Sequence, residues 1–447
     1  MPLWPRVTGV ARDKAVLSKD DAIRVERDLR QRALHYRAGY GFQAAHANRP
    51  VGFPVVSYQG RFINGKAINI ARRFYYTPTR AINGMISPYF SPFPATCYSM
   101  CVQTRYNKQY KETVMQRIIQ AGLGAMGQGW ADCVAASDKW EAAAYVDINR
   151  RNLTAAAERH GMPKNRCFRD LATALRSVEA DALLDVTPQG ARRGLCMTAM
   201  DCGLDVLCEK PLADTLDNAV ALATHAQKTN RTLMVAQNYR YQPAVQTAKR
   251  FIAQGRLGRV GYVGVAFHKG PRFGGYREQM PYPLLLDMSI HHFDMLRCIL
   301  GQDIAAVQGK SVSAPWNWNK GDATVLAILE TDGDVCVNYF ASWVSRGWET
   351  DWNGNWRIEG EKGALIIENS DVYFSTKRAT RRKVSPVKMT KTHQAWLLDG
   401  FAAALEKNLE PETSAGNNLN SLTATHAMVR AVQEQRMVLT QELLEQR

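Results

Sequence analysis

Between residues 116 and 236 five short apolar runs alternate with helical stretches, and every run closes in a polar motif. The runs are Gln116–Gln120, Ala142–Val146, Asp181–Val186, Leu204–Cys208 and Thr232–Ala236. Between them Leu153–His160, Arg192–Asp201 and Asp214–Lys228 read as helices. Nearly continuous apolar strands separated by helices predict a parallel sheet buried on both faces, an α/β domain. Ligands of such sheets bind beyond the carboxyl ends of the strands. The polar motifs stand there: the glycine turn after the first run, Asp147 after the second, Thr187-Pro188 after the third, Glu209-Lys210-Pro211 after the fourth and Gln237-Asn238-Tyr239-Arg240 after the fifth.

The glycine turn carries the most chemistry. Gly122, Gly124 and Gly127 spell G-x-G-x-x-G and open an expected helix through Val134. The first glycine permits a tight turn, the second lets the backbone approach a pyrophosphate, and the third lets helix and strand pack closely. Ala125 and Met126 complete this cofactor-facing turn, whose phosphates would meet the positive end of the helix. Asp147 follows Gly127 by twenty residues. An acid at that spacing accepts hydrogen bonds from the adenosine ribose and repels a 2′-phosphate, which favours NAD over NADP. Arg150 and Arg151 pull the other way. Thr187, Pro188, Glu209 and Lys210 are the remaining expected cofactor contacts.

The chain has 447 residues and a formal net charge of +16. Residues 1–114 hold 18 Lys+Arg against 6 Asp+Glu, whereas residues 115–447 are nearly balanced, 39 against 35. The basic character therefore belongs to the first quarter and gives no reason to expect a nucleic-acid partner. That quarter offers one expected helix, Lys19–His35, and otherwise no sustained period of 2 or 3.6. It reads as a basic extension, disordered or non-essential to the fold. Arg72-Arg73-Phe74 is not followed by the apolar stretch an export signal needs. No run of some eighteen apolar residues predicts a membrane span. Nine cysteines in loose spacing without a CxxC pair argue for reduced thiols in a cytoplasmic setting, and no metal-ligand cluster is visible.

Beyond Tyr239 the runs lengthen and partly alternate: Val260–His268, Ala323–Glu330, Val335–Val344, Trp356–Glu361 and Ala364–Glu368. They predict a mainly antiparallel sheet, closed by helices over Trp396–Leu409 and Leu419–Val438. Tryptophans 316, 318, 343, 348, 352 and 356 are expected mostly in a core or interface. Before this sheet's second strand, Asp287 and His291 stand four apart in a helical context and share a face, with Asp294 near it and His292 pointing away. Imidazole titrates near neutrality and suits a base that removes a hydroxyl proton.

Taken together, these motifs resemble the Gfo/Idh/MocA family of NAD(P)-dependent oxidoreductases, which includes inositol dehydrogenase and glucose–fructose oxidoreductase. The matching residues are Gly122–Gly127, Thr187-Pro188, Glu209-Lys210-Pro211, Asn238-Tyr-Arg240, Gly255-Arg-Leu-Gly258 and Asp287-Met-Ser-Ile-His291-His-Phe-Asp294. The resemblance implies a Rossmann domain over 115–238 and an α+β substrate-binding and oligomerisation domain over 239–447. It implies Lys210, Asp287 and His291 as the catalytic group: Lys210 on the reacting oxygen, His291 as base, Asp287 orienting the imidazole or binding a neighbouring hydroxyl. Asn238 and Arg240, with Asp287 and His291, are the expected substrate contacts. The implied activity is oxidation of a secondary hydroxyl of a sugar, polyol or cyclitol, without metal, in a homodimer or homotetramer joined through the C-terminal sheet. The fold also supports a redox-neutral NAD-dependent glycoside hydrolase or a non-catalytic dinucleotide-binding regulator. Two positions depart from the family's habit: Arg192 replaces a histidine, with consequences expected for cofactor or substrate contacts, and Ser289 replaces a glycine, restricting the backbone.

Overall fold

The computed structural model describes residues 61–63, 66–68 and 115–445. The first two segments, β1 (Arg61–Ile63) and β2 (Lys66–Ile68), form a small antiparallel pair within a separate unit, residues 1–94. The expected helix Lys19–His35 lies outside the described residues.

The domain that follows has six parallel strands, not five. They are β3 (Gln116–Ala121), β4 (Trp140–Val146), β5 (Cys167–Phe168), β6 (Ala182–Asp185), β7 (Asp205–Cys208) and β8 (Leu233–Val235), in spatial order β5-β4-β3-β6-β7-β8. The added strand is the two-residue edge β5, with the helix Leu171–Ser177 behind it. Two residues give no periodicity to read, which is why the pattern passed over them. The order reverses between β3 and β6, the crevice where such sheets bind ligands. The helices have visible local causes. Asn149, Asp170 and Thr215 cap three of them, each accepting a backbone N–H at 2.8–3.2 Å. Gly161 ends the first of the three at φ +67°, a conformation that favours glycine.

The second domain is built on a nine-stranded sheet, mostly antiparallel with one parallel pairing, between β9 (Val260–His268) and β12 (Cys336–Ser342). The expected strands fall where they were read, within one or two residues. The others are β10 (Ile304–Val312), β11 (Thr324–Thr331), β13 (Asn355–Gly360), β14 (Gly363–Glu368), β15 (Asp371–Thr376), β16 (Ala379–Lys383) and the two-residue β17 (Val438–Leu439). One face packs against helices Ile290–Leu300 and Ala415–Glu434; the other is open, with Tyr262, Leu326, Ile328 and Phe340 exposed on it. The helix Ile290–Leu300 is buried on nearly every side, so it is the central rod of the domain rather than an amphipathic surface helix. The tryptophans divide. Trp343 and Trp356 are core, whereas Trp316, Trp348 and Trp352 are exposed, Trp348 at 89%. Among the described residues no helix is long and apolar enough to cross a membrane, and the cysteines are free thiols.

Candidate active site

The glycine turn is built to exclude side chains. A Cβ on Gly122, whose φ is +91°, would lie 2.6 Å from the Val186 carbonyl carbon across the switch point, and one on Gly127 would lie 2.2 Å from the Gly122 carbonyl oxygen. Gly124 has nothing within 4 Å; that open space is the one a pyrophosphate needs. The buried Gln120 side chain holds the turn from below, its Nε2 donating to the Gly122 and Gly127 carbonyls at 3.2 and 2.7 Å.

Beside the turn a cavity of about 530 Å³ is lined by Gly122, Asp147, Arg169, Thr187, Pro188 and Leu195 among others. Its walls are mostly apolar and Asp147 is at its edge, as an adenosine site requires. The Asp147 carboxylate accepts from the amides of Leu123 and Asn149, both at 2.7 Å, which fixes it against the turn. Arg150 and Arg151 are exposed. These residues fit a dinucleotide.

At the nicotinamide end expected of that site, two loops leave the sheet side by side. The Thr187 loop is pinned to buried Asp185, whose Oδ1 accepts from the Thr187 amide and hydroxyl at 3.0 and 2.6 Å. Here Arg192 corrects the expectation of a cofactor or substrate contact. It is buried, and it donates to Asp185 Oδ2 at 2.8 Å, to the Thr187 carbonyl at 2.9 Å and to the Pro211 carbonyl. It ties together the two loops that flank the site. Glu209 is likewise turned inward: its Oε1 accepts from Trp130 Nε1 at 2.8 Å and its Oε2 from the Lys210 amide at 3.0 Å.

Lys210 crosses to the second domain. Its Nζ donates to both Oδ1 and the backbone carbonyl of Asp287, each at 2.8 Å. Asp287 belongs to a π-helical turn, Leu284–Ser289, that runs directly into the helix carrying His291. Such turns recur at functional sites because they displace side chains from the regular helical rows. Arg277 donates from Nε to Asp287 Oδ2 at 2.8 Å. Both carboxylate oxygens are therefore engaged by cations, which corrects the expectation that Asp287 orients the imidazole. Burial alone would raise the Asp287 pKa; Lys210 and Arg277 outweigh it and hold the carboxyl well below the ordinary range.

His291 instead lies against the ring of Tyr239, centroids 4.3 Å apart. Its Nδ1 is buried without a hydrogen-bond partner among the described residues. Burial, then the positive charge of Lys210, drive its pKa well below 6.5, so the ring is neutral near pH 7. His292 faces away, as expected, bonded through Nδ1 to the Tyr339 hydroxyl at 2.8 Å. Ser289 exchanges a hydrogen bond with the same hydroxyl at 2.9 Å and has ordinary helical dihedrals, φ −62° and ψ −26°, so no glycine is needed there.

Arg240 and Asp294 are placed differently from the sequence reading. Arg240, 5% exposed, donates from Nε and Nη2 to the two oxygens of Asp294 at 2.7 and 2.5 Å. Asp294 also accepts from Ser421 Oγ at 2.9 Å. This pair joins the end of the Rossmann sheet to the interior of the second domain, where burial withdraws the guanidinium from a substrate. Asn238 stays at the end of β8, in the short turn Asn238–Tyr241. Two contributors were missed from sequence, Arg277 and Gln120, and Tyr239 was named only as part of its motif, with no role. Gln120 carried a signal, a polar residue buried beside the apolar pair Ile118-Ile119.

Residues 116–237 match the oxidoreductase family with an NAD-binding Rossmann fold, and residues 245–366 match the GFO/IDH/MocA C-terminal domain. The chain belongs to the Gfo/Idh/MocA family. It is an NAD(P)-dependent oxidoreductase. Inositol 2-dehydrogenase of Rhizobium meliloti is 26% identical over 71% of this chain and 97% of its own. D-apiose dehydrogenase of Paraburkholderia graminis is 26% identical over 67% of this chain and 83% of its own. An oxidoreductase from Agrobacterium radiobacter, solved with NAD+, L-tartaric acid and magnesium, superposes with a TM-score of 0.68 at 20% identity, covering 74% of this chain and all of that one.

Proposed function

We propose that this member oxidises a secondary hydroxyl of a sugar, polyol or cyclitol. The observation that carries the reading is the junction of the two domains: Lys210 from the carboxyl end of β7 meets Asp287 at 2.8 Å, one helical turn before His291. Bound NAD would supply the hydride acceptor. Gly122, Gly124, Ala125, Met126 and Gly127 would hold its pyrophosphate and Asp147 its adenosine ribose, with Thr187 and Pro188 lining the same cavity. Lys210, fixed by Asp287, donates to the reacting oxygen and stabilises the negative charge that develops there. Neutral His291 takes the hydroxyl proton. Burial and the charge of Lys210 keep the imidazole uncharged until then. Asp147 favours NAD over NADP. The names of the relatives, which act on inositol and apiose, support a polyhydroxylated substrate.

The protein acts in the cytoplasm as a homo-oligomer. Tyr262, Leu326, Ile328 and Phe340 share one open sheet face, with Leu326 directly opposite Phe340 across β11 and β12, and a second copy of the chain would cover it.

The test is NADH formation over a panel of cyclitols, polyols, aldoses and sugar acids. Turnover of at least one with NAD is expected, and His291→Ala should reduce it by about 10²–10⁴-fold with NAD affinity nearly unchanged. Full activity in His291→Ala would remove the base from this assignment, and no reduction of NAD by any compound would remove the dehydrogenase.

A further inference from the structure

Arg277 sits in a short helix, Gly275–Gln279, in the segment between β9 and the π-helical turn. One edge of its guanidinium is committed: Nε donates to Asp287 Oδ2 at 2.8 Å. The Phe273 and Tyr276 rings lie 5.3 and 5.0 Å from its central carbon and fix the plane of the group. Its two terminal nitrogens have no hydrogen-bond partner among the described residues, and a third of the side chain is exposed. The opposite oxygen of the same carboxylate takes Lys210. Two cations thus share one acid. Glu209, the next carboxylate, is occupied by Trp130 and by the Lys210 amide, and His291 is uncharged.

A guanidinium anchored through Nε presents its remaining pair of nitrogens as a planar fork, and the geometry such a fork matches is a carboxylate held by two parallel hydrogen bonds. We infer that the substrate is a polyhydroxy acid whose carboxylate is bound by the terminal nitrogens of Arg277. This rests on the dehydrogenase reading and narrows it. Arg277 and Lys210 occupy the two oxygens of one small group, so the fork lies within reach of a carboxylate a few carbons from the hydroxyl that Lys210 holds. A neutral diol would meet the fork with weaker acceptors. A phosphate has three acceptor oxygens and would leave one unmet by a single fork. The carboxylate is a spectator in the step itself: the carbinol C–H bond breaks with its electron pair leaving as hydride to NAD, the hydroxyl proton goes to His291, and the product is a keto acid.

The experiment compares matched substrates on the full-length protein with NAD: gluconate against glucitol, glucuronate against glucose, with glucose 6-phosphate as the phosphate arm. The acids should have kcat/KM at least tenfold above their neutral partners. Arg277→Gln should raise KM for the acids by about 10–100-fold, the scale of a charged hydrogen-bonded pair, with a smaller change for neutral compounds. Arg277→Lys, which keeps the charge and loses the fork, should recover only part. Equal or better use of neutral compounds, preference for the phosphate, or an equal loss for acids and neutrals in Arg277→Gln would overturn the inference while leaving a dehydrogenase. Should no compound reduce NAD, the dehydrogenase reading fails, and calorimetry of galactarate on the NAD-loaded protein still decides the fork. Binding weakened in Arg277→Gln supports it; binding absent from the unaltered protein, or unchanged in the variant, rejects it.

Discussion

Asp287 and Asp294 stand seven residues apart on one continuous helical segment, and each meets a cation contributed by the end of a Rossmann strand. They do opposite work. Asp294 is sealed: Arg240 engages both oxygens, Ser421 adds a third bond, and neither charge reaches solvent. Asp287 is shared between Lys210 and Arg277 at the junction of the two domains, with part of each side chain still accessible. A bidentate pair buried from solvent joins domains; a carboxylate divided between two partly accessible cations leaves donors over for a ligand. The same residue type becomes structural or chemical according to whether its partners are used up.

Breaking the sealed pair should give the largest loss of stability. Asp294→Ala would leave the Arg240 guanidinium buried and uncompensated, at a cost of about 3–5 kcal/mol. Denaturant unfolding measures this directly, and an unchanged midpoint would mean that the pair does not hold the domains. Asp287→Asn should invert the result. Lys210 and Arg277 keep part of their side chains accessible, so the stability loss should be smaller than for Asp294→Ala, while turnover falls by about 10²-fold as Lys210 loses its fixed position. Parallel losses of stability and turnover in both variants would erase the distinction.

Acid sharpens the contrast further. Burial lowers the pKa of His291 well below 6.5 and that of His292 to about 4, although the Trp352 carbonyl pulls His292 partly back up. The unfolded chain therefore binds protons that the folded one refuses, and stability should fall as pH drops from about 6.5 toward 4. The acid limb of kcat/KM should lie below 6.5 for the same reason, and a limb at or above 6.5 would place a different group in control. A smaller effect concerns the cofactor: Asp147→Ala should weaken NAD by about tenfold and relax discrimination against NADP. Least of all should change when residues 1–114 are removed. The family matches begin at residue 116, and a chain starting at Met115 should melt within about 2 °C of the full one.

Much of this was legible in one dimension. Buried parallel strands are apolar along their whole length, a glycine turn packed against a neighbouring strand leaves no room for a Cβ at Gly122 or Gly127, and residues four apart share a helical face; each is a local steric or spacing requirement, so sequence alone determined the Rossmann half and the Asp287–His291 segment. The two-residue edge strand β5 escaped because it is too short to show a period. Charge pairing is another matter. Arg192, Arg240 and Arg277 look alike in sequence, yet one ties two loops together, one is sealed against Asp294, and one stays partly exposed beside Asp287. Which carboxylate each would find depends on distances across 7, 54 and 10 residues of chain, and electrostatic partnership is set by separation in space and by access to water. Only the tertiary structure decided it.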